Sequence, residues 1–203
     1  MRILLLRHGE TDWNTEGRLQ GREDMPLNEN GILQAKLCGA ALAGIPINKA
    51  ITSPLKRAKR TCEIVAGYMG LDRVEIEEGL LERDFGVMSG KKLENIFAAI
   101  NCEGSESLDD AAERIIAALK RHEGRPGETI LALSHGAVIN TLLFALSDGK
   151  AGTGVTRLKN TCVNILEAEK GELRLIAWNL TAPEAAAYLK GEATLPEIDQ
   201  RRR

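Results

Sequence analysis

The sequence predicts an α/β layered fold, a three-layer sandwich with a mainly parallel central sheet and helices on both faces. Two observations carry that expectation. The runs Ile3 to Leu6 and Thr129 to Leu133 are continuously apolar over strand length and end at polar and glycine residues, the pattern of strands buried on both sides. Segments of helical periodicity then alternate with the strand candidates along the chain, as they do when helices cross from one parallel strand to the next.

In chain order, Ile3 to Leu6 is the first strand. After a charged loop, Asn28 can cap a helix whose apolar positions Leu33, Leu37, Ala40 and Ala41 share one face, and Gly44 with Pro46 ends it. Ala50-Ile51-Thr52 is a short strand, followed by a helix from near Pro54 with Ala58, Cys62, Val65, Ala66 and Met69 at helical spacing. Val74 to Glu77 is a third strand candidate, and the stretch to Gly90 reads as irregular. Leu108, Ala111, Ala112, Ile115 and Leu119 mark an amphipathic helix. Thr129 to Leu133 and the helix Ala137 to Leu146 repeat the layout of the N-terminus. Thr161 to Leu166 and Leu173 to Trp178, joined at Lys170-Gly171, close the fold as a hairpin or as neighbouring strands.

At 203 residues the chain can bury one sizeable core, so a single domain over residues 1–203 is expected. A net charge of −2 supplies no field to attract a polyanion, and an aromatic share of 3% provides no stacking platform. Nucleic acid is therefore not an expected partner. Cys38, Cys62, Cys102 and Cys162 contain no CxxC pair and read as small buried thiols rather than a zinc site or disulfide framework. The N-terminal apolar run is shorter than a signal peptide requires and no stretch reaches membrane-spanning length. A cytoplasmic protein that does not enter a membrane is expected, with Arg201-Arg202-Arg203 as a solvated end.

Chemistry is expected beyond the carboxyl ends of the parallel strands, where open α/β sheets collect their ligands. Two of the three histidines stand there, in Arg7-His8-Gly9 and Ser134-His135-Gly136. A single histidine at such a place is more often a hydrogen-bonded structural residue; the repetition argues for a shared pocket if the strands are neighbours. His122, in Lys120-Arg121-His122-Glu123, reads as a solvated surface residue. Arg7 and Arg57 offer planar forks of donors that match phosphate oxygens.

The stretch Leu6-Arg7-His8-Gly9-Glu10-Thr11-Asp12-Trp13-Asn14 resembles the signature of the histidine phosphatase superfamily, the phosphoglycerate mutase-like proteins. The likeness continues through Gly17 to Gly21 with Asp24, Pro26 and Leu27, and through Ser53-Pro54-Leu55 with Arg57-Ala58 and Thr61. It returns at Leu81-Glu82 with Phe85-Gly86, at Glu106-Ser107-Leu108 and at Ser134-His135-Gly136. The resemblance implies that His8 attacks phosphorus while Arg7, Arg57 and His135 surround the phosphoryl oxygens. It implies further that Asn14, Gln20 and Gly21 meet the substrate, and that Glu82 protonates the leaving alcohol and then activates water. Asp84 is a local competitor for that last role. The pattern departs at Ser89-Gly90, where a glutamate commonly precedes the glycine, and at Asn179-Leu180, where Asn-Asp is frequent.

The chemistry is coherent in its own right. A neutral imidazole is available as a nucleophile near pH 7 because its unperturbed pKa is about 6.5, and phosphoryl transfer is chiefly positioning and charge stabilisation. No cofactor and no metal are expected, since the arginines fill the electrostatic role of a divalent ion; a metal held by His8, His135 and Asp12 is the weaker alternative. Members of the family that act as mutases carry a longer basic insertion where this chain has the short stretch Lys91 to about Ser105, with no cation after Lys92. A short, phosphatase-type member acting on small phosphate esters is therefore preferred over a phosphoglycerate mutase, or over a phosphate-binding or scaffolding protein that has lost turnover. Sugar phosphates, phosphoglycerates, nucleotides and ribazole phosphate are candidate substrates, and Phe97, Ile100 and Asn101 are candidate specificity residues. A homodimer is compatible with the sequence, which does not fix the oligomeric state.

Overall fold

The structure, a computed structural model, describes residues 1–92 and 102–194. Phe97, Ile100, Asn101 and the terminal Arg201-Arg202-Arg203 lie outside the described residues.

Among the described residues six strands form one sheet: β1 (Arg2–Arg7), β2 (Lys49–Thr52), β3 (Glu75–Ile76), β4 (Thr129–Ser134), β5 (Val163–Glu169) and β6 (Glu172–Leu180), in the order β3-β2-β4-β1-β5-β6. β1, β2, β3 and β4 run parallel to one another, β5 is antiparallel to β1, and β6 is antiparallel to β5. Among the described residues the helices are α1 (Asp12–Thr15), α2 (Glu29–Leu42), α3 (Lys56–Gly67), α4 (Leu108–Arg121), α5 (Gly136–Leu146) and α6 (Ala182–Leu189). This is the expected three-layer arrangement.

Strand periodicity explains why the central runs are apolar throughout. Ile3, Leu5, Ile51, Ile130 and Ala132 face one core, where α4 brings Ile115 and Leu119 and α5 brings Ile139 and Leu142. Leu4, Leu6, Ala50, Leu131 and Leu133 face the other, against Cys38 and Leu42 of α2, Cys62 and Val65 of α3, and Ala185 of α6. Adjacent residues on each strand thus serve opposite layers.

The expected face of α2 is wrong. Leu33 and Leu37 are 53% and 62% exposed and Ala40 is also exposed, whereas Gly31, Ala35, Cys38, Gly39 and Leu42 point inward. The cause is close packing. A Cβ on Gly31 would lie 2.1 Å from the carbonyl oxygen of Glu10, and one on Gly39 would lie 2.5 Å from the Tyr68 ring. The inner face therefore takes small residues and the larger leucines are left outside. Two helices went unread: α1, and α6, which opens on a capping box between Thr181 and Glu184 with Pro183 in its first turn. Met69 lies beyond the end of α3, and the third strand shrinks to Glu75–Ile76. Three of the cysteines are buried, Cys102 is partly so, and all four are free thiols. Among the described residues no helix is long and apolar enough to cross a membrane.

Candidate active site

β1 and β4 pair in parallel with Arg7 opposite Ser134, so the next residues, His8 and His135, leave the sheet side by side. Their ring centroids are 5.3 Å apart and tilted by 56°. His8 Nδ1 lies 2.6 Å from the carbonyl oxygen of Gly9. A carbonyl only accepts, so Nδ1 carries the hydrogen and Nε2 keeps its lone pair. Burial, then the charges of Arg57 and Arg7, hold the pKa of His8 well below its ordinary value of 6.5, against the opposing pull of the Gly9 carbonyl. His8 is thus a neutral imidazole at neutral pH. His135 is lowered likewise by burial, Arg57, His8 and Arg7. Its Nε2 meets Ser53 Oγ, at the end of β2, at 2.7 Å, and its buried Nδ1 has no partner.

The arginines are anchored by part of their donor sets. Arg7 Nη1 donates to the carbonyl of Leu158 at 2.6 Å, using one of five N–H groups. Arg57, fully buried, donates from Nη1 to Glu23 O at 2.6 Å and from Nη2 to Gly21 O at 2.8 Å. Both Nε atoms are buried without a partner, as is Gln20 Oε1. Burial pushes the Arg57 guanidinium down to about 10, so it remains a cation at neutral pH. Gly136 makes room for this arrangement, since a Cβ there would sit 3.2 Å from Arg7 Nε.

Glu82 is buried, and its carboxylate accepts N–H bonds from Arg83 at 2.9 Å, Ala137 at 3.2 Å and Val138 at 2.9 Å. The last two come from the N-terminus of α5, which favours an anion. Its charge acts on Arg7 and Arg57 alike. Asp84, the local competitor, instead accepts the Gly86 N–H and lies near Arg22.

Of the remaining candidates, Asn14 Oδ1 accepts the N–H of Thr11 in a capping box, and Asn160 Nδ2 approaches it at 3.4 Å while donating to His8 O at 3.1 Å. Gly21, with φ of +51°, offers its carbonyl to Arg57. The strap Arg157 to Thr161 was missed by sequence reasoning. It supplies Leu158 O and Asn160, and the Thr161 N–H points at the carbonyls of Arg7 and His8, at 3.1 and 3.4 Å. Thr161 sits at φ of +54°, uncommon for a β-branched residue. Asn179, which keeps the family's asparagine while Leu180 departs from its pattern, holds this strap through Lys159 N–H and Arg157 O. Nothing local in the sequence marks Asn160, which lies far from His8 along the chain.

His122 corrects another expectation. It is largely buried, with Nε2 2.9 Å from Glu77 Oε2, and Arg121 and the Gly79 N–H share the same carboxylate. Burial would raise the pKa of Glu77, but the bonds from Arg121, Gly79 and His122 outweigh it and bring it to about 2. Among the described residues no group of three or more histidine, cysteine or acidic side chains is arranged to hold a metal.

A model of the histidine phosphatase superfamily (branch 1) matches residues 3–181. The chain belongs to that superfamily. It is 35% identical over 189 residues to the uncharacterized phosphatase PhoE of Bacillus subtilis (strain 168), covering 89% of this chain and 95% of the relative. A mycobacterial glucosyl-3-phosphoglycerate phosphatase in complex with VO3 superposes with a TM-score of 0.76 at 27% identity, covering 88% of this chain and 98% of that one. The fold is also that of phosphoglycerate mutase from Bacillus anthracis str. Sterne, at a TM-score of 0.80, 24% identity and coverage of 94% and 96%. As a member of this superfamily with a phosphatase relative at 35% identity, the protein is a phosphoryl-transfer enzyme.

Proposed function

We propose that the protein is a phosphatase of small phosphomonoesters that works through a phosphohistidine on His8. One observation carries the reading: His8 is held as the Nδ1–H tautomer by Gly9 O, beside partnerless nitrogens of Arg7, Arg57 and His135. Glu82, an anion in its three N–H bonds, takes up a proton as the phosphate dianion enters and offsets the charge of the arginines; the Nε2 lone pair then attacks phosphorus, and the bond to the ester oxygen breaks as Glu82 gives that oxygen its proton. Arg7, Arg57 and His135 stabilise the charge on the equatorial oxygens, with Asn14 as a further contact and Gln20 and Gly21 beside the substrate. The Glu82 carboxylate then takes a proton from water as that water displaces His8 from phosphorus, releasing phosphate and restoring both groups.

Hydrolysis is preferred over mutase chemistry because the stretch after Lys92 is short and carries no cation up to Ser105. The names of the Bacillus subtilis and mycobacterial relatives support the same choice. Phosphoglycerate derivatives and sugar phosphates head the substrate candidates.

The test is a phosphate-release screen over phosphomonoesters, run for wild type and His8→Ala, with phosphate labelling of the wild type. Release from at least one ester, loss in the variant, and an acid-labile, alkali-stable label support the proposal. Faster interconversion of 3- and 2-phosphoglycerate than release from any ester would make the enzyme a mutase. Phosphate binding without hydrolysis of p-nitrophenyl phosphate between about pH 5 and pH 8, the range over which histidine titrates, would make it a binding protein.

A further inference from the structure

Glu82 stands in backbone that no strand or helix supports. It follows the short 3-10 turn Glu78–Leu80, and buried carbonyls outside regular structure must find hydrogen-bond partners. They find two. Ser134 Oγ donates to Leu80 O at 2.8 Å, and Arg114 Nη1, from α4, donates to both Gly79 O and Leu81 O at 3.0 Å. The rest of the Arg114 fork is engaged by Glu106, Nε to Oε1 at 2.7 Å and Nη2 to Oε2 at 2.8 Å. Both side chains are mostly buried, so this is a bidentate pair of the stronger kind.

Glu106 reaches further. Its Oε2 accepts the Asp84 N–H at 3.4 Å, its carbonyl accepts Arg83 Nε at 2.8 Å, and its N–H donates to Asp84 O at 3.1 Å. Arg22 Nη2 lies 3.6 Å from the same carboxylate, next in sequence to Gly21, whose carbonyl holds Arg57. The residues before and after Glu82 are thus gripped from one side by a single ion pair, while its carboxylate is gripped from the other by α5. Arg114 also lies close enough for its charge to act on His135.

We propose that Arg114 and Glu106 are positioning residues that fix where the Glu82 carboxyl stands relative to the leaving oxygen, without touching substrate themselves. The inference rests on the reading of Glu82 as proton donor. A loose carboxyl loses its effect first where the leaving group most needs a proton. Losses of about 10² follow from displacements near 1 Å, within the roughly 10² to 10⁴ that general acid catalysis supplies.

The experiment compares kcat/KM for p-nitrophenyl phosphate, whose leaving group departs unaided, with that for an alkyl phosphate that the wild type hydrolyses. The enzymes are wild type, Arg114→Lys, Glu106→Gln and Glu82→Gln. Arg114→Lys and Glu106→Gln are each expected to lose roughly 10²-fold on the alkyl ester and less than about 5-fold on the nitrophenyl ester. Glu106→Gln is nearly isosteric and supplies the measurement if Arg114→Lys does not fold. Equal losses on the two esters overturn the positioning role and leave the pair merely structural. A Glu82→Gln enzyme that shows no difference between the esters overturns instead the assignment of Glu82, so the two failures are distinguishable.

Discussion

The ends of β1 and β4 carry the same three-residue design, a polar residue, a histidine and a glycine, at the same level of neighbouring parallel strands. They are wired in opposite ways. At β1 the ring is tied by Nδ1 to the next carbonyl in its own chain, leaving Nε2 free; at β4 Nε2 is tied to Ser53 and Nδ1 is left without a partner. The flanking residues diverge too. Arg7 sends its guanidinium to the strap at Leu158, whereas Ser134 secures Leu80 O beside the Glu82 segment. Gly9 donates its N–H to Thr61 Oγ1 at 3.0 Å, and Gly136 opens α5. One motif thus yields a fixed-tautomer ring at one strand end and a ring held by a rotatable hydroxyl at the other. The hydrogen-bond partner, not the residue type, separates their proposed roles.

The sharpest way to break this contrast is to remove each ring in turn. His8→Ala should lose on the order of 10⁴ to 10⁶ in kcat, as loss of a nucleophile does. His135→Ala should lose about 10² to 10³, the scale of one preorganised donor, and should still accept label on His8. Comparable losses in both, with label on neither, would erase the distinction. Ser53→Ala leaves the buried His135 Nε2 unsatisfied at a cost of about 1 to 3 kcal/mol. Its signature is a fall in turnover and in unfolding midpoint that Ser53→Thr, which keeps the hydroxyl, largely restores.

Proton linkage sharpens the comparison in a different direction, because both rings have folded pKa values well below 6.5. Below about pH 6.5 the unfolded chain takes up protons at these positions that the native state does not, so stability falls as pH drops. Urea unfolding at several pH values should show this loss from His8 and His135 together, and His135→Asn should reduce the linked protons by one. Glu77 is linked with the same sign, beginning at lower pH. Its folded value of about 2 gives stability that is present above the ordinary carboxylate range near 4.5 and is lost as pH falls through the folded value. The smallest effect belongs to the strap: Thr161→Gly relieves the positive φ and should stabilise the fold by about 0.5 to 1 kcal/mol, measurable as a raised denaturation midpoint.

The layers were legible because buried parallel strands write continuous apolar runs, as Ile3 to Leu6 and Thr129 to Leu133 do. Helices α3, α4 and α5 follow from the spacing of Ala58, Cys62 and Val65, of Ala111, Ile115 and Leu119, and of their counterparts after His135. α2 misled because close contact, not hydrophobicity, selects its inner face. Arg7, His8, Arg57 and His135 stood out through residue type at strand and helix ends, while Glu82 needed the family pattern to separate it from the acidic run around it. Asn160 and Arg114 carried no local signal, and Ser53 entered only within the family pattern, with no role attached. Their contacts span 152 residues from Asn160 to His8, 82 from Ser53 to His135 and 33 from Arg114 to Leu81, and long-range pairing of polar groups leaves no periodicity to read. His122 was misread because a polar neighbourhood in sequence hid a buried partner in Glu77.

The crossing of two bare α-carbons, Gly9 and Gly31, has a bearing on inheritance. A methyl group on Gly9 would come within 2.5 Å of Gly31 O, and one on Gly31 within 2.1 Å of Glu10 O, so either would wedge α2 away from the turn that bears the reactive ring. The start of a surface helix thereby becomes as intolerant of variation as the reaction centre. Saturation libraries screened for turnover should reveal an island of forbidden substitutions there, framed by the freely variable leucines Leu33 and Leu37.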